Sequence, residues 1–519
     1  MKNKLTRSWR FLHGLRLLLV IILLLGIFFR LVNLDKKIYW QDETATSLRI
    51  AGYTKTEFVH QVFNGQLISV EELQQRYQSL NSERSWLDTV KALTGRPEHS
   101  PLYYLMARFW AQLFGTSVAV MRSLPALISL LAFPAIYWLC LELFESSLVG
   151  WMAVALIAVS PVHLLYAQEA REYSLWTVAI LLSSASLLRA IRLKTNFSWV
   201  IYAATMALGL YSHLFFGLVA LGHGIYIVIM EGFQRSKTAI AYLLASLAGL
   251  LTFLPWVWVV ITYFMYSSNR GRVMTDGVNT TIPLASLINK WFRNINRGFH
   301  DANLGSANIV LVILAIYSIY FVCRHTPKRV WLFILTLTGV TALTLGLPDL
   351  ILGKQLSVRT RYLIPCYLGI QLSVAYLLST RITASLKWQQ KLWQIVTLLL
   401  LTIGILSAAI SSQAEVWWNK NISVTRHYHK IAHIINQTES PLVLGDGSPT
   451  NILCLSYLLK PNVKLQLSKQ NSPQIFNEFT EVFLFDASET LLKKLQQEKN
   501  YTIESEVNKR RAKLWKIRE

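Results

Sequence analysis

Side chains able to move a proton or grip a phosphate recur beside the apolar runs of this sequence. Asp42 and Glu43 stand in IYWQDETATSLRIAGY, His99 in PEHSPLYYL and Arg122 in VMRSLPAL. Glu169, Arg171 and Glu172 stand in SPVHLLYAQEAREYSL, His213 in YSHLFFG, and Arg359 with Arg361 in SVRTRYLIP. A carboxylate within hydrogen-bond reach of a hydroxyl can take its proton as the oxygen attacks. A guanidinium matches phosphate through its planar fork, and a phosphate leaving group stabilised by cations needs no general acid. One base and a basic clamp suffice for single displacement; a retaining double displacement needs a second close carboxylate as nucleophile. Asp42 and Glu43 are neighbours whose side chains can diverge, so both routes stay open, as does a divalent metal on these carboxylates. No other cofactor is called for.

Each of these residues also has a plain reading. An Asp-Glu pair after a helix is commonly a solvated loop, and an arginine at a helix end commonly snorkels toward head groups. His300 and Asp301 read as solvated loop residues. The functional reading rests on coincidence: threaded through a bilayer, the first set falls at one depth on one side, where ionisable residues are costly and mark function.

The elements that must position them are membrane helices. The chain has 519 residues, 53% hydrophobic and only 15% charged, against about a quarter charged in soluble domains. Its apolar residues gather in uncharged runs of the length that crosses a hydrocarbon core about 30 Å thick. Eleven spans are expected, near 11–33, 122–144, 148–166, 173–191, 198–213, 214–231, 238–263, 307–323, 330–347, 361–380 and 392–410. The first is a retained helix with its basic end inside. This threading puts Arg189, Arg192 and Lys194, then Arg324, Lys328 and Arg329, then Arg381, Lys387 and Lys391 in cytoplasmic turns, as the positive-inside rule asks. The stretch 101–114 is too short to cross and reads as an interfacial helix.

The expected architecture is therefore an all-α polytopic membrane domain over 1–410, with outer loops 34–121 and 264–306. A small extracytoplasmic α/β domain follows over 411–519, with strands at Pro441–Gly445 and Glu481–Asp486 and a helix at Glu489–Glu498. The net charge of +23 sits at the ends of apolar runs, where topology and anionic lipid explain it, so nucleic acid is not an expected partner. Cys140, Cys323, Cys366 and Cys454 show no CxxC pairing, which excludes a disulfide framework or zinc knuckle. The alternative from another class is a transporter or lipid flippase. Such proteins place charges near the bilayer midplane and show paired repeats, neither of which is legible here.

The order YWQDE, HSPLYYL, an Arg opening the next span, YAQEAREYSL and RxRYLIP resembles the GT-C glycosyltransferases. Within them it resembles the branch of protein O-mannosyltransferases and lipid A aminoarabinose transferases, over roughly residues 5–380. The resemblance implies a polyprenyl-phosphate sugar donor in the membrane, a lipid, glycan or protein acceptor, and inverting transfer outside the cytoplasm. The expected setting is a bacterial plasma membrane, with the site facing the periplasm or exterior. It implies Asp42 as the acid-base carboxylate with Glu43 beside it, His99 near the donor phosphate, and Glu169 as a loose match to a second acidic position. The sugar class (hexosyl, mannosyl or pentosyl) is not legible.

Overall fold

In the computed structural model the described residues are 2–232, 234, 236–269, 282–301, 308–420, 422–469, 479–499, 501–509 and 512–518. Among the described residues, seven helices are long and apolar enough to cross a membrane: Val118–Phe144, Tyr173–Leu193, Lys237–Tyr266, Asn308–His325, Lys328–Leu352, Thr360–Ile382 and Lys387–Gln413. Ser147–Ala158 and Pro161–Gln168 form an eighth candidate bent by 59°. The bend falls where Pro161, lacking an N–H, opens a new helix after Ser160. Shorter helices run over Leu17–Leu31 within Lys2–Leu31, and over Asn196–Ser212 and Phe216–Glu231. The expected total of eleven requires these shorter helices to cross as well.

The chain divides into two units that interleave along the sequence. One comprises Met1–Val32, Pro97–Leu102 and Pro125–Ser412; the other comprises Asn33–Arg96, Tyr103–Leu124 and Gln413–Glu519. In the first unit, Gly26 of the N-terminal helix meets Ala158 so closely that a Cβ there would lie 2.7 Å from the Ala158 Cβ. Four residues on, buried Arg30 donates to the carbonyls of Gly26 at 2.8 Å, Ala158 at 2.9 Å and Ile157 at 3.0 Å. The break after Ala158 ends the regular hydrogen bonding of the last carbonyls of its helix; Arg30 donates to two of them. This charge inside an apolar run had no role in the sequence reading.

The second unit is built on a six-stranded sheet. Its strands are β1 (Asn64–Ser69), β2 (Pro441–Gly445), β3 (Lys464–Ser468), β4 (Glu481–Phe485), β5 (Thr502–Lys509) and β6 (Ala512–Arg518), in the order β1-β3-β2-β4-β6-β5. The centre β3-β2-β4 is parallel and the flanking pairs are antiparallel. Leu442, Leu444, Val482, Leu484, Trp515 and Ile517 pack one face against Leu491 and Leu495 of the helix Glu489–Lys499. Both strands and the helix read from the sequence lie where expected.

The segment read as the first outer loop is instead ordered. It forms the helices Gln41–Ile50, Lys55–Val62, Val70–Tyr77 and Trp86–Thr94, and it contributes β1 to the sheet. Because β1 is hydrogen-bonded to β3, no bilayer separates residues 64–69 from 464–468, and the chain between them crosses an even number of times. The helix Leu102–Phe114 carries a buried Arg108 that donates to Thr89 Oγ1 at 2.8 Å and to the Arg84 carbonyl at 2.7 Å. His300 is buried and Asp301 accepts from Ser407 Oγ at 2.8 Å, so neither is the solvated loop residue expected. Part of the second outer loop, 270–281 and 302–307, lies outside the described residues.

Candidate active site

In the second unit, the backbone after the N-terminal helix passes through Asn33 at φ 53° and re-enters a helix at Gln41. Asp42 and Glu43 thus occupy a first helical turn, where the helix dipole favours negative charge. Their environments differ sharply. Glu43 is fully buried; its Oε2 accepts from the Trp40 N–H at 3.0 Å. Its two oxygens also take Arg122 Nε at 2.8 Å and Nη2 at 2.7 Å. Arg122, fully buried too, donates further to the carbonyls of Leu34, Lys37 and Ile38 at 2.7, 2.8 and 2.9 Å. Tyr39 and Trp417 lie beneath its guanidinium.

Every nitrogen of Arg122 is engaged in pinning residues 34–43. The expectation that Arg122 grips a donor phosphate meets a guanidinium whose five donors are all directed into the fold. Both Glu43 oxygens are likewise engaged within the fold. Asp42, by contrast, keeps about a third of its side chain exposed, with Lys420 Nζ 3.4 Å from Oδ2. Beside it, Gln41 donates to Asn451 Oδ1.

The first unit gathers another set. Arg171 Nη2 stands 3.0 Å from Glu172 Oε1 and 3.2 Å from His99 Nδ1, which itself lies 3.4 Å from Glu172 Oε1. A neutral Nδ1 accepts from Arg171; a protonated one donates to Glu172. Burial alone would raise the Glu172 carboxyl, but Arg171 and His99 outweigh it and hold the group well below the usual carboxylate range. His213 caps its helix, accepts from the Phe215 N–H through Nδ1 at 3.1 Å, and stacks on Trp176 with centroids 4.2 Å apart. It lies within electrostatic reach of Glu172, His99, Arg171 and Arg361. Arg361 is half-buried in the short 3-10 helix Thr360–Leu363, against the Tyr362 ring. Glu169 is buried at the end of Pro161–Gln168, and Arg359 is half-buried just before the 3-10 helix.

Of the sequence-derived residues, this unit brings His99, Arg171, Glu172, His213 and Arg361 together, with Glu172 at the centre. Lys420, in WWNK after the last apolar run, was missed entirely. Among the described residues no group of three His, Cys, Asp or Glu side chains is arranged to hold a metal ion.

Residues 98–259 match the family described as dolichyl-phosphate-mannose-protein mannosyltransferase. The fold is similar to that of ArnT from Cupriavidus metallidurans in the apo state, with a TM-score of 0.56 at 11% identity over 97% of this chain and 98% of that one. It is also similar to the same protein bound to undecaprenyl phosphate, with a TM-score of 0.53, 11% identity and the same coverage. No curated protein sequence matches. The chain is an integral membrane protein, and its fold is the GT-C fold seen in ArnT.

Proposed function

We propose that this protein transfers a sugar from a polyprenyl-phosphate donor to a hydroxyl of a lipid, glycan or protein acceptor outside the cytoplasm, with inversion. The observation that carries the reading is the unequal use of the adjacent carboxylates. Both Glu43 oxygens are engaged by Arg122, while Asp42 is about a third exposed and lies beside the Lys420 ammonium. One open carboxylate suits a general base for single displacement and leaves no neighbouring nucleophile for a double one.

In this reading Asp42 takes the acceptor proton as its oxygen attacks the anomeric carbon. The bond to the donor phosphate breaks, and the leaving phosphate is stabilised by cationic groups. The cations that the sequence reading offers for this role are Arg171, His99, Arg361, Arg359 and His213; Glu169 is kept as a second acidic position of lesser weight. Similarity to a fold solved with undecaprenyl phosphate supports the donor class, as does the match to a dolichyl-phosphate-mannose family. The sugar belongs to the hexosyl, mannosyl or pentosyl class, and the setting is a bacterial plasma membrane with the site on its outer side.

The test incubates purified protein in lipid with a panel of polyprenyl-phosphate sugars and follows both sugar and lipid phosphate. Consumption of one donor by the wild type, lost in Asp42→Asn, is the expected result. Movement of lipid between leaflets without donor consumption would replace transfer with transport.

A further inference from the structure

The segment Gln413–Lys420 runs alongside residues 36–42 of the second unit and is tied to them at successive points. Lys36 Nζ donates to Gln413 Oε1 at 3.1 Å, and the Ile38 N–H donates to the Glu415 carbonyl at 3.1 Å. The Trp417 indole, fully buried, donates to the Ile38 carbonyl at 2.9 Å. Lys420 Nζ ends the series 3.4 Å from Asp42 Oδ2. Burying an indole to satisfy one backbone carbonyl is a specific arrangement, since a buried Trp N–H needs a partner.

A second tie comes from the loop after β2. Asp486, at the end of β4, accepts from the Ser448 N–H at 2.9 Å and from Asn451 Nδ2 at 2.7 Å through the same Oδ2. Asn451 Oδ1, oriented by that bond, accepts from Gln41, the first residue of the Asp42 helix. Gly447 passes so close to Asp486 that a Cβ there would lie 2.3 Å from its carboxylate. The loop is thus shaped around Asp486, and Asp486 around Asn451.

We propose that the Gln413–Lys420 strap and the Asp486–Asn451 pair are positioning elements for the Asp42 carboxylate, with Lys420 setting its orientation through the ion pair. This rests on Asp42 being the base of the proposed transfer. An aspartate side chain can adopt several rotamers; an ammonium 3.4 Å from Oδ2 favours the one that keeps this pair. Residues 413–420, 451 and 486 then act on the reaction through residue 42 of the same unit.

The test compares Lys420→Met, Lys420→Arg and Asn451→Leu in the full-length protein. Lys420→Met should lower kcat about tenfold to a hundredfold, the worth of one charge-assisted contact, with donor KM and thermal midpoint unchanged. Lys420→Arg should restore most of the loss. On an Asp42→Asn background Lys420→Met should cost nothing further, because the two act as one unit. Amide exchange over residues 41–45 should quicken in Lys420→Met and Asn451→Leu. A multiplicative loss in the double variant would overturn the proposal, as would an effect confined to donor KM, or exchange and kcat both at wild-type values. Exchange needs no turnover: a protein inert with every donor sinks the transferase reading, while the exchange result still decides whether the strap holds residue 42.

Discussion

Arg122 and Glu43, distant in sequence, form a fully buried two-pronged ion pair, Nε to Oε1 at 2.8 Å and Nη2 to Oε2 at 2.7 Å. The same guanidinium closes on the carbonyls of residues 34, 37 and 38. Desolvation makes such a pair expensive to assemble, yet removing one partner leaves an uncompensated buried charge. The pair therefore fixes the path by which the chain enters the Asp42 helix, and both members should behave as structural residues.

Arg122→Ala should destabilise the second unit by about 3–5 kcal/mol, the cost of breaking a buried pair, and Glu43→Gln by a smaller amount in the same direction. Detergent-extracted yield and thermal midpoint report this directly. Wild-type stability together with weakened donor binding in Arg122→Ala would return the residue to the phosphate site.

The sheet makes a topological prediction. Since β1 pairs with β3, cysteines placed at the exposed positions Glu71 and Glu439 should both react with an impermeant maleimide from the same side of the membrane. The background should carry Cys323→Ser, because Cys140, Cys366 and Cys454 are already buried. Modification of one site from each side would be incompatible with the β1–β3 pairing.

Much of this architecture was legible because hydropathy is read along the chain. The long runs such as 173–191 and 392–410 were, and so were PLVLG and EVFLFD, whose side chains are buried on both faces of the sheet. Strand β1, NGQLIS, was not: it is an edge strand, largely exposed, with no apolar alternation to mark it. The separate fates of Asp42 and Glu43 were also hidden. Adjacent carboxylates look alike in sequence, and the arginine that claims one of them follows only at residue 122. Arg30 was within reach of sequence reasoning, as a charge inside an apolar run; its partners, the carbonyls freed by the break after Ala158, were not.

The Arg171–Glu172–His99 cluster predicts an acid-sensitive contribution to stability. The folded Glu172 carboxyl is held below its ordinary value of 4.5. A depressed carboxylate stabilises the fold fully above its unfolded pKa, and the contribution is lost as pH falls toward the folded one. Glu172→Gln should therefore be less stable than wild type at pH about 7, with the gap closing as pH drops below about 4.5. Thermal midpoints of the two proteins at neutral and acid pH decide it. A constant gap across that range would mean that Glu172 contributes by packing and not by charge.

Asp42→Asn separates chemistry from folding. The substitution preserves the shape and most hydrogen bonding but removes the proton acceptor. Transfer should fall about 10²–10⁴-fold, the usual worth of a positioned general base. Stability should change little, because Asp42 is partly exposed and its contact with Lys420 is long, at 3.4 Å. Glu43→Gln should show the opposite signature, a loss of stability with turnover per folded molecule less affected. The two variants are neighbours in sequence and nearly identical in chemistry, so their contrast isolates environment as the cause. Near-normal turnover in Asp42→Asn would remove the base assignment and make Glu169 the next carboxylate to test. Loss of folded protein in Asp42→Asn, without loss of specific activity, would make Asp42 a structural partner of Lys420.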